Sequence, residues 1–307
     1  MPMAHSNRTL QLTEADVQRL QPRLQQLPAP LPAAQLQDSL WNQTLESALP
    51  HLPAAFADVL FLDPPYNQPK QFGSLSFAAQ SAEAYEAYVL GWLRPLLRCL
   101  KPEGSVYLCG DWRSAAALPR ALAACGLHIR NRISWEREKG RGARRNWKNA
   151  SEDLWYATCG EDYYFSVSEV KLRRRVRAPY RLQGQPKDWQ QAGEHKYRDT
   201  HPSNLWTDLS VPFWSMPENT PHPTQKPEKL LAKVLLASCP PGGWVLDPFA
   251  GSGTTAVVAR KLGRHFVAIE AEPDYCLWAL RRLEIAADQP AIQGYDGVFW
   301  ERNTRPL

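Results

Sequence analysis

Trp244-Val245-Leu246-Asp247-Pro248-Phe249-Ala250-Gly251-Ser252-Gly253-Thr254-Thr255 reads as a short apolar strand, a turn built on two glycines and the opening of a helix. Glycine lets the backbone approach a ligand closely, and a helix N-terminus presents unpaired N–H groups. After the helix expected over 254–262, the run 265–270 reads as a second strand. It ends in Glu270, 23 residues beyond Asp247. An acid at that position can accept hydrogen bonds from ribose hydroxyls. The segment is therefore a strand–helix–strand crossover suited to a nucleoside-containing cofactor. The third glycine of the dinucleotide pattern is absent, since Ala256 stands in its place, and Asp247-Pro248-Phe249 leads into the turn. Both features argue against a pyrophosphate turn, so S-adenosylmethionine is expected ahead of NAD or FAD.

Working outward, the same alternation recurs towards the N-terminus. Ala57–Leu62 is nearly all apolar, as a strand buried on both faces of a parallel sheet must be. Tyr85, Tyr88, Val89, Trp92, Leu96 and Leu100 follow helical spacing across 82–100. Strands are expected over 105–109, 128–135 and 153–158, with a helix over 115–125 closed by Gly126. A further helix, 228–238, precedes the strand at 244. Strands alternating with helices indicate a doubly wound α/β sheet. The rhythm fails between 166 and 221, a polar, basic stretch holding Trp189, Trp206 and Trp214. We expect these tryptophans to pack rather than stack on a base. Four units follow: an N-terminal extension over 1–40, a main domain over 41–165 and 222–290, an insertion over 166–221, and a tail over 291–307. In the extension, Thr13 to Asp16 reads as the capped start of a helix.

Bulk properties narrow the class. With 44% apolar and 22% charged residues, the chain is an ordinary globular protein. It has no apolar run long enough for a membrane span, and its first ten residues lack an export pattern. The six cysteines are scattered without a CxxC pair, so buried free thiols are expected and a metal site is not. The net charge is +5, but between Arg130 and Arg181 there are 14 Lys/Arg against 7 Asp/Glu, leaving about −2 for the rest. A basic segment on a near-neutral body suits a polyanion.

The run Ala57–Leu62 opens into Asp63-Pro64-Pro65-Tyr66, which puts a carboxylate, two rigid residues and an aromatic ring at the end of a buried strand. A plain strand-ending turn is the bland alternative. The chemistry this combination suits is activation of a flat, weakly nucleophilic amino group on a nucleobase. Asp63 can accept one N–H and the Pro64 carbonyl the other, which localises the nitrogen lone pair. Pro65 fixes its own φ and holds Pro64 extended. Tyr66 offers a ring face to the base.

The two motifs together resemble the DNA amino-methyltransferases that modify N6 of adenine or N4 of cytosine. His222-Pro223-Thr224-Gln225-Lys226-Pro227 is similar to the family's segment before the cofactor strand. The catalytic motif precedes the cofactor motif by 184 residues, the order of the β class. The resemblance spans about residues 40–285. It implies a mixed, mostly parallel, seven-stranded Rossmann-like methyltransferase sheet with an inserted target-recognition region. It assigns catalysis to Asp63, Pro64, Pro65 and Tyr66. It assigns S-adenosylmethionine to Asp247, Pro248, Phe249, Ala250, Gly251, Ser252, Gly253, Thr254, Thr255 and Glu270, with the region of Thr224 and Lys226. Many relatives carry Gly-Asp before the catalytic strand, where this chain has Asn42-Gln43-Thr44, leaving Thr44 for the adenine ring. Arg137, Lys139, Arg141, Arg144, Arg145 and Lys148 form a basic loop. With Lys171, Arg173, Arg174, Arg175, Arg177 and Arg181, they are expected to face double-stranded DNA. Asp63 leans towards adenine without excluding cytosine. An RNA or protein-glutamine amino-methyltransferase, which commonly carries Asn at that position, and a DNA-binding protein that has lost catalysis are the more distant alternatives. The resemblance allows a homodimer and a cognate restriction endonuclease as partners, and implies a cytoplasmic, nucleoid-associated protein.

Overall fold

The computed structural model describes residues 7–137, 145–176, 180–192 and 195–301. Its centre is one eight-stranded sheet. Across it lie Ser39–Asn42, His265–Glu270, Trp244–Asp247, Ala57–Leu62, Leu100–Gly110, Ser151–Thr158, His128–Glu136 and Leu205–Trp206. Every neighbouring pair is parallel except those made by Ser151–Thr158, which runs against both its neighbours. The family pattern predicts seven strands. The eighth is Leu205–Trp206, a two-residue edge strand from within the insertion.

Strand alternation sorts the core into two layers. Val59, Phe61, Val245, Phe266 and Ala268 point to the face covered by the helices Glu228–Ser238 and Thr254–Lys261. Leu60, Leu62, Leu246, Val267 and Ile269 point to the face covered by Ala82–Leu96 and Ala117–Ala124. Continuous apolar runs were needed because both faces are buried. Gly126, at φ +78°, closes the 117–124 helix as expected. At the N-terminus, Thr13 and Asp16 form a reciprocal capping box on Glu14–Leu20. That helix buries Leu20 against Leu277 and Leu280 of Pro273–Asp288.

The insertion forms its own sheet of Gln190–Ala192, His195–Thr200, Leu172–Arg175 and Phe299–Trp300. The last strand comes from the C-terminal tail, pairing Phe299 with Leu172. Thus two features cross the boundaries expected at 166–221 and 291. Asp208 anchors the insertion to the main domain through Lys233 at 2.6 Å and Lys229 at 2.8 Å. Trp189 and Trp206 are buried. Trp214 was expected to pack but is 50% exposed; its loop is tied down through its backbone, whose carbonyl accepts from Arg8 N. Four cysteines are buried, while Cys125 and Cys159 are partly exposed. No helix among the described residues is long and apolar enough to cross a membrane.

Candidate active site

The strands Ala57–Leu62 and Trp244–Asp247 are neighbours, with Val59 opposite Val245. Their C-terminal ends therefore deliver Asp63 and Asp247 to the same edge of the sheet, where parallel α/β sheets bind ligands. A cavity of about 360 Å³ opens there, a size typical of cofactor sites. It is lined by Asp63 to Tyr66, by Asp247 to Ser252 with Thr254 and Thr255, and by Glu270. Thr44, Thr224 and Lys226 also line it.

The glycine turn is built to leave room. Gly251 has φ +52°, and a Cβ there would lie 2.9 Å from His222 Nε2. Gly253 caps the 254–261 helix at φ +75°, where a Cβ would meet that of Ala279 at 2.6 Å. Gly251 N–H donates to Glu270 Oε2 at 2.7 Å, and Glu272 N–H to Oε1 at 2.8 Å. Burial raises the Glu270 carboxyl, an effect these two donors oppose. Burial likewise pushes Asp247 up to about 7, although it accepts from Phe249 N at 3.0 Å. Arg282 braces the turn from behind, donating to Ser252 O and Thr254 Oγ1, each at 2.9 Å. Thr44 lines the cavity while capping the short helix Leu45–Ala48.

On the other side of the cavity, the Tyr85 hydroxyl donates to the Pro65 carbonyl at 2.9 Å and holds the proline turn. Lys226 points at the turn, with Nζ 2.6 Å from Asp63 Oδ2 and 3.7 Å from Glu152 Oε2. Burial alone would lower this ammonium, but Asp63 and Glu152 outweigh it and hold it above the ordinary lysine range. Glu152 also accepts the Tyr66 hydroxyl at 3.2 Å and pairs with Arg137 at 2.7 Å. Burial first, then Asp63 and Glu152, push the Tyr66 phenol well above its usual range. Lys226 is placed by the buried amide of Gln225, which accepts from Thr220 N and Oγ1 and donates to Glu218 O at 2.6 Å.

Residues 57–281 match the family model described as DNA methylase. The chain belongs to this DNA methylase family. The DNA adenine methyltransferase YhdJ of Escherichia coli (strain K12) is 34% identical over 251 residues, covering 79% of this chain and 81% of that protein. The type II methyltransferase M2.DpnII of Streptococcus pneumoniae is 31% identical over 244 residues, covering 74% and 82% respectively. Among solved structures, the cytosine-N4-specific PvuII DNA methyltransferase superposes with a TM-score of 0.60 at 17% identity, over 87% of this chain and 95% of that one. The M1.HpyAVI–SAM complex does so at 0.55 and 21%, over 80% and 98%. At such identities what is shared is the fold.

In this methylase the residues expected to face DNA have varied surroundings. Arg145 and Lys148 are exposed beside Trp147, which is 93% exposed. Arg175 and Arg181 are exposed as well. Arg173 instead forms a two-pronged pair with Asp199, both contacts at 2.7 Å, and lies over the rings of Tyr197 and Trp300. Arg174 reaches Glu301 at 3.5 Å. Arg137 turns inward to Glu152 rather than outward. Lys139, Arg141, Arg144 and Arg177 lie outside the described residues. Sequence reading missed Glu152 and Lys70, and it quoted His222 within its motif without giving it a role. Glu152 had a signal, a charged pair with Asp153 heading an otherwise apolar strand. Lys70 lies on the hairpin Lys70–Phe72/Leu75–Phe77 at the cavity wall. Nothing in its local pattern marked it.

Proposed function

We propose that this DNA methylase transfers a methyl group from S-adenosylmethionine to the exocyclic amine of a flipped base in double-stranded DNA, N6 of adenine being favoured. The carrying observation is that Asp63 and the Gly251–Glu270 pair line one cavity. The residues there suit the cofactor. Glu270, at the end of its strand, is placed for ribose hydroxyls. Thr44 and Phe249 offer a wall for an adenine ring, and Gly251 spares the cavity wall a Cβ that would collide with His222. When bound, the cofactor supplies an electrophilic methyl group.

The chain's own residues do the rest. Asp63 accepts one N–H of the target amine and the Pro64 carbonyl the other. These acceptors pull the nitrogen towards tetrahedral geometry, and the Asp63 charge stabilises the cation that develops. Tyr66 supports the base, which must leave the duplex to enter. The 166–221 insertion, with the exposed cations around it, reads and grips the surrounding DNA. The adenine preference rests on the Asp at position 63 and on the 34% identity to an adenine enzyme. A cognate restriction endonuclease belongs to this reading because the relative M2.DpnII is named a type II methyltransferase. A homodimer and a place on the nucleoid complete it.

The test is to incubate the protein with unmethylated genomic DNA and S-adenosylmethionine and map the products by single-molecule sequencing. N6-methyladenine within one short motif is the expected result. N4-methylcytosine would reassign the base, because the same two acceptors serve that amine. No modified base would overturn the reading and direct attention to RNA or protein substrates or to binding without catalysis.

A further inference from the structure

We propose that Glu152 is a positioning residue that receives the Lys226 ammonium when the target amine takes its place on Asp63. This rests on the function proposed above. In the structure Lys226 holds Asp63 Oδ2 at 2.6 Å. A cation there neutralises the carboxylate that must stabilise a second cation, the amine as it is methylated. For Asp63 to act, the ammonium has to move away, and Lys226, whose side chain is only 7% exposed, needs another acid to receive it. An unpaired ammonium in such a place is costly.

Glu152 supplies the destination. Its side chain is 4% exposed, and its Oε2 already lies 3.7 Å from Lys226 Nζ. Closing that gap to an ordinary charge-assisted bond takes a movement of about 1 Å, well within the reach of a four-carbon stem. Arg137 pairs with Oε1 at 2.7 Å and fixes the receiving carboxylate in place. Among the described residues, the hydrogen-bond donor to Oε2 is the neutral Tyr66 hydroxyl, so that oxygen retains acceptor capacity. The same bond links Glu152 to the ring on which the base rests. The ammonium, 5.3 Å from the centre of the Tyr66 ring, stays over that ring in moving between the two acids. Glu152 itself touches neither base nor methyl donor in this scheme; it acts through Lys226 and Tyr66.

The experiment is a double-mutant cycle on the full protein, read by single-turnover methylation at saturating DNA and S-adenosylmethionine. The substrate is a duplex carrying the motif found by sequencing. Glu152→Gln keeps the shape and removes the charge; with its carbonyl turned to Arg137, its amide can still bond the Tyr66 hydroxyl, now as the donor. Its rate constant is expected to fall about 100-fold, the scale of a misplaced catalytic group, with cofactor affinity and DNA KM unchanged. In a Lys226→Met background, Glu152→Gln should cost nothing more, because the cation it receives is gone. If Lys226→Met does not fold, Lys226→Gln provides the same background. A wild-type rate in Glu152→Gln overturns the proposal, as does an equal loss in both backgrounds. A loss seen only in thermal stability or KM does so too. Each of these outcomes leaves the proposed function standing as long as the wild-type protein methylates DNA. A wild-type protein that modifies no DNA removes both.

Discussion

Asp63 and Lys226, 163 residues apart, meet at 2.6 Å across the mouth of the cavity. The pairing has a consequence for the simplest variant. In Asp63→Ala the ammonium is not abandoned, because Glu152 stands 3.7 Å away. The fold and the glycine turn should therefore survive. Methylation should drop by at least a hundredfold to a thousandfold, the scale expected for removing a preorganised electrostatic group. Calorimetry should show S-adenosylmethionine bound with nearly wild-type affinity. Wild-type turnover in Asp63→Ala would exclude the role given to this carboxylate.

The two turn glycines should fail differently. A methyl at Gly251 presses on His222 at the cavity wall, whereas one at Gly253 presses on Ala279 in the supporting helix. Both residues have positive φ. Gly253→Ala should lose about 1–3 kcal/mol of stability from backbone strain and collision. Gly251→Ala should lose cofactor affinity in addition. Paired denaturation and calorimetry separate the two, and equal affinity in both variants would contradict the close approach assigned to Gly251.

Much of this was legible from residue order, for a physical reason. Strands buried on both faces must be continuously apolar, and glycine turns and proline turns leave fixed residue types where chain direction changes. The main strands and the Asp63 and Gly251 turns could be placed on that basis. Side-chain destinations could not. The region of Lys226 was expected against the cofactor and Arg137 at DNA; Lys226 does line the cavity, but that both side chains also reach Glu152 was not readable from the sequence. A long cationic side chain can reach several partners, and only the packed fold selects one. The tail strand Phe299–Trp300 was hidden for a similar reason: two residues carry no periodicity, and their pairing partner lies over a hundred residues away.

The basic residues now divide into two groups with different expected effects. Arg145 and Lys148 are exposed, so replacing both with Ala should weaken DNA binding and shrink the salt dependence. The log–log slope should fall by about 0.9 for each phosphate that is no longer neutralised. Arg173 is already neutralised by Asp199. Arg173→Ala should leave the slope unchanged and loosen the insertion sheet instead, seen as earlier proteolysis. Fluorescence anisotropy titrations at several salt concentrations check both, and an unchanged slope in the Arg145/Lys148 variant would rule out phosphate binding there.

His222 gives the site a pH signature. Burial, partly opposed by Asp63 and reinforced by Lys226, depresses its imidazole from the ordinary 6.5 to about 3. The folded protein thus keeps the ring neutral while the unfolded chain takes up a proton below about 6.5. Stability from this group is complete above that pH and is lost progressively as pH falls towards 3. The slope is about 1.4 kcal/mol per pH unit while one proton separates the two states. Asp247 works in the opposite direction, since its carboxyl is raised to about 7. Its contribution is complete below the ordinary carboxylate range and is lost as pH rises through 7, so the wild-type curve alone mixes the two. The difference between wild type and His222→Asn isolates the histidine. Asn keeps an acceptor where Nδ1 receives Thr224 N–H at 3.3 Å, but does not titrate. Denaturant unfolding without cofactor at pH 5, 6, 7 and 8 should give a constant difference at pH 7 and 8. Below pH 6.5 the difference should shift in favour of the variant, by about one proton's worth per pH unit. Parallel curves across the whole range would mean that His222 titrates in the folded state as it does in the unfolded chain.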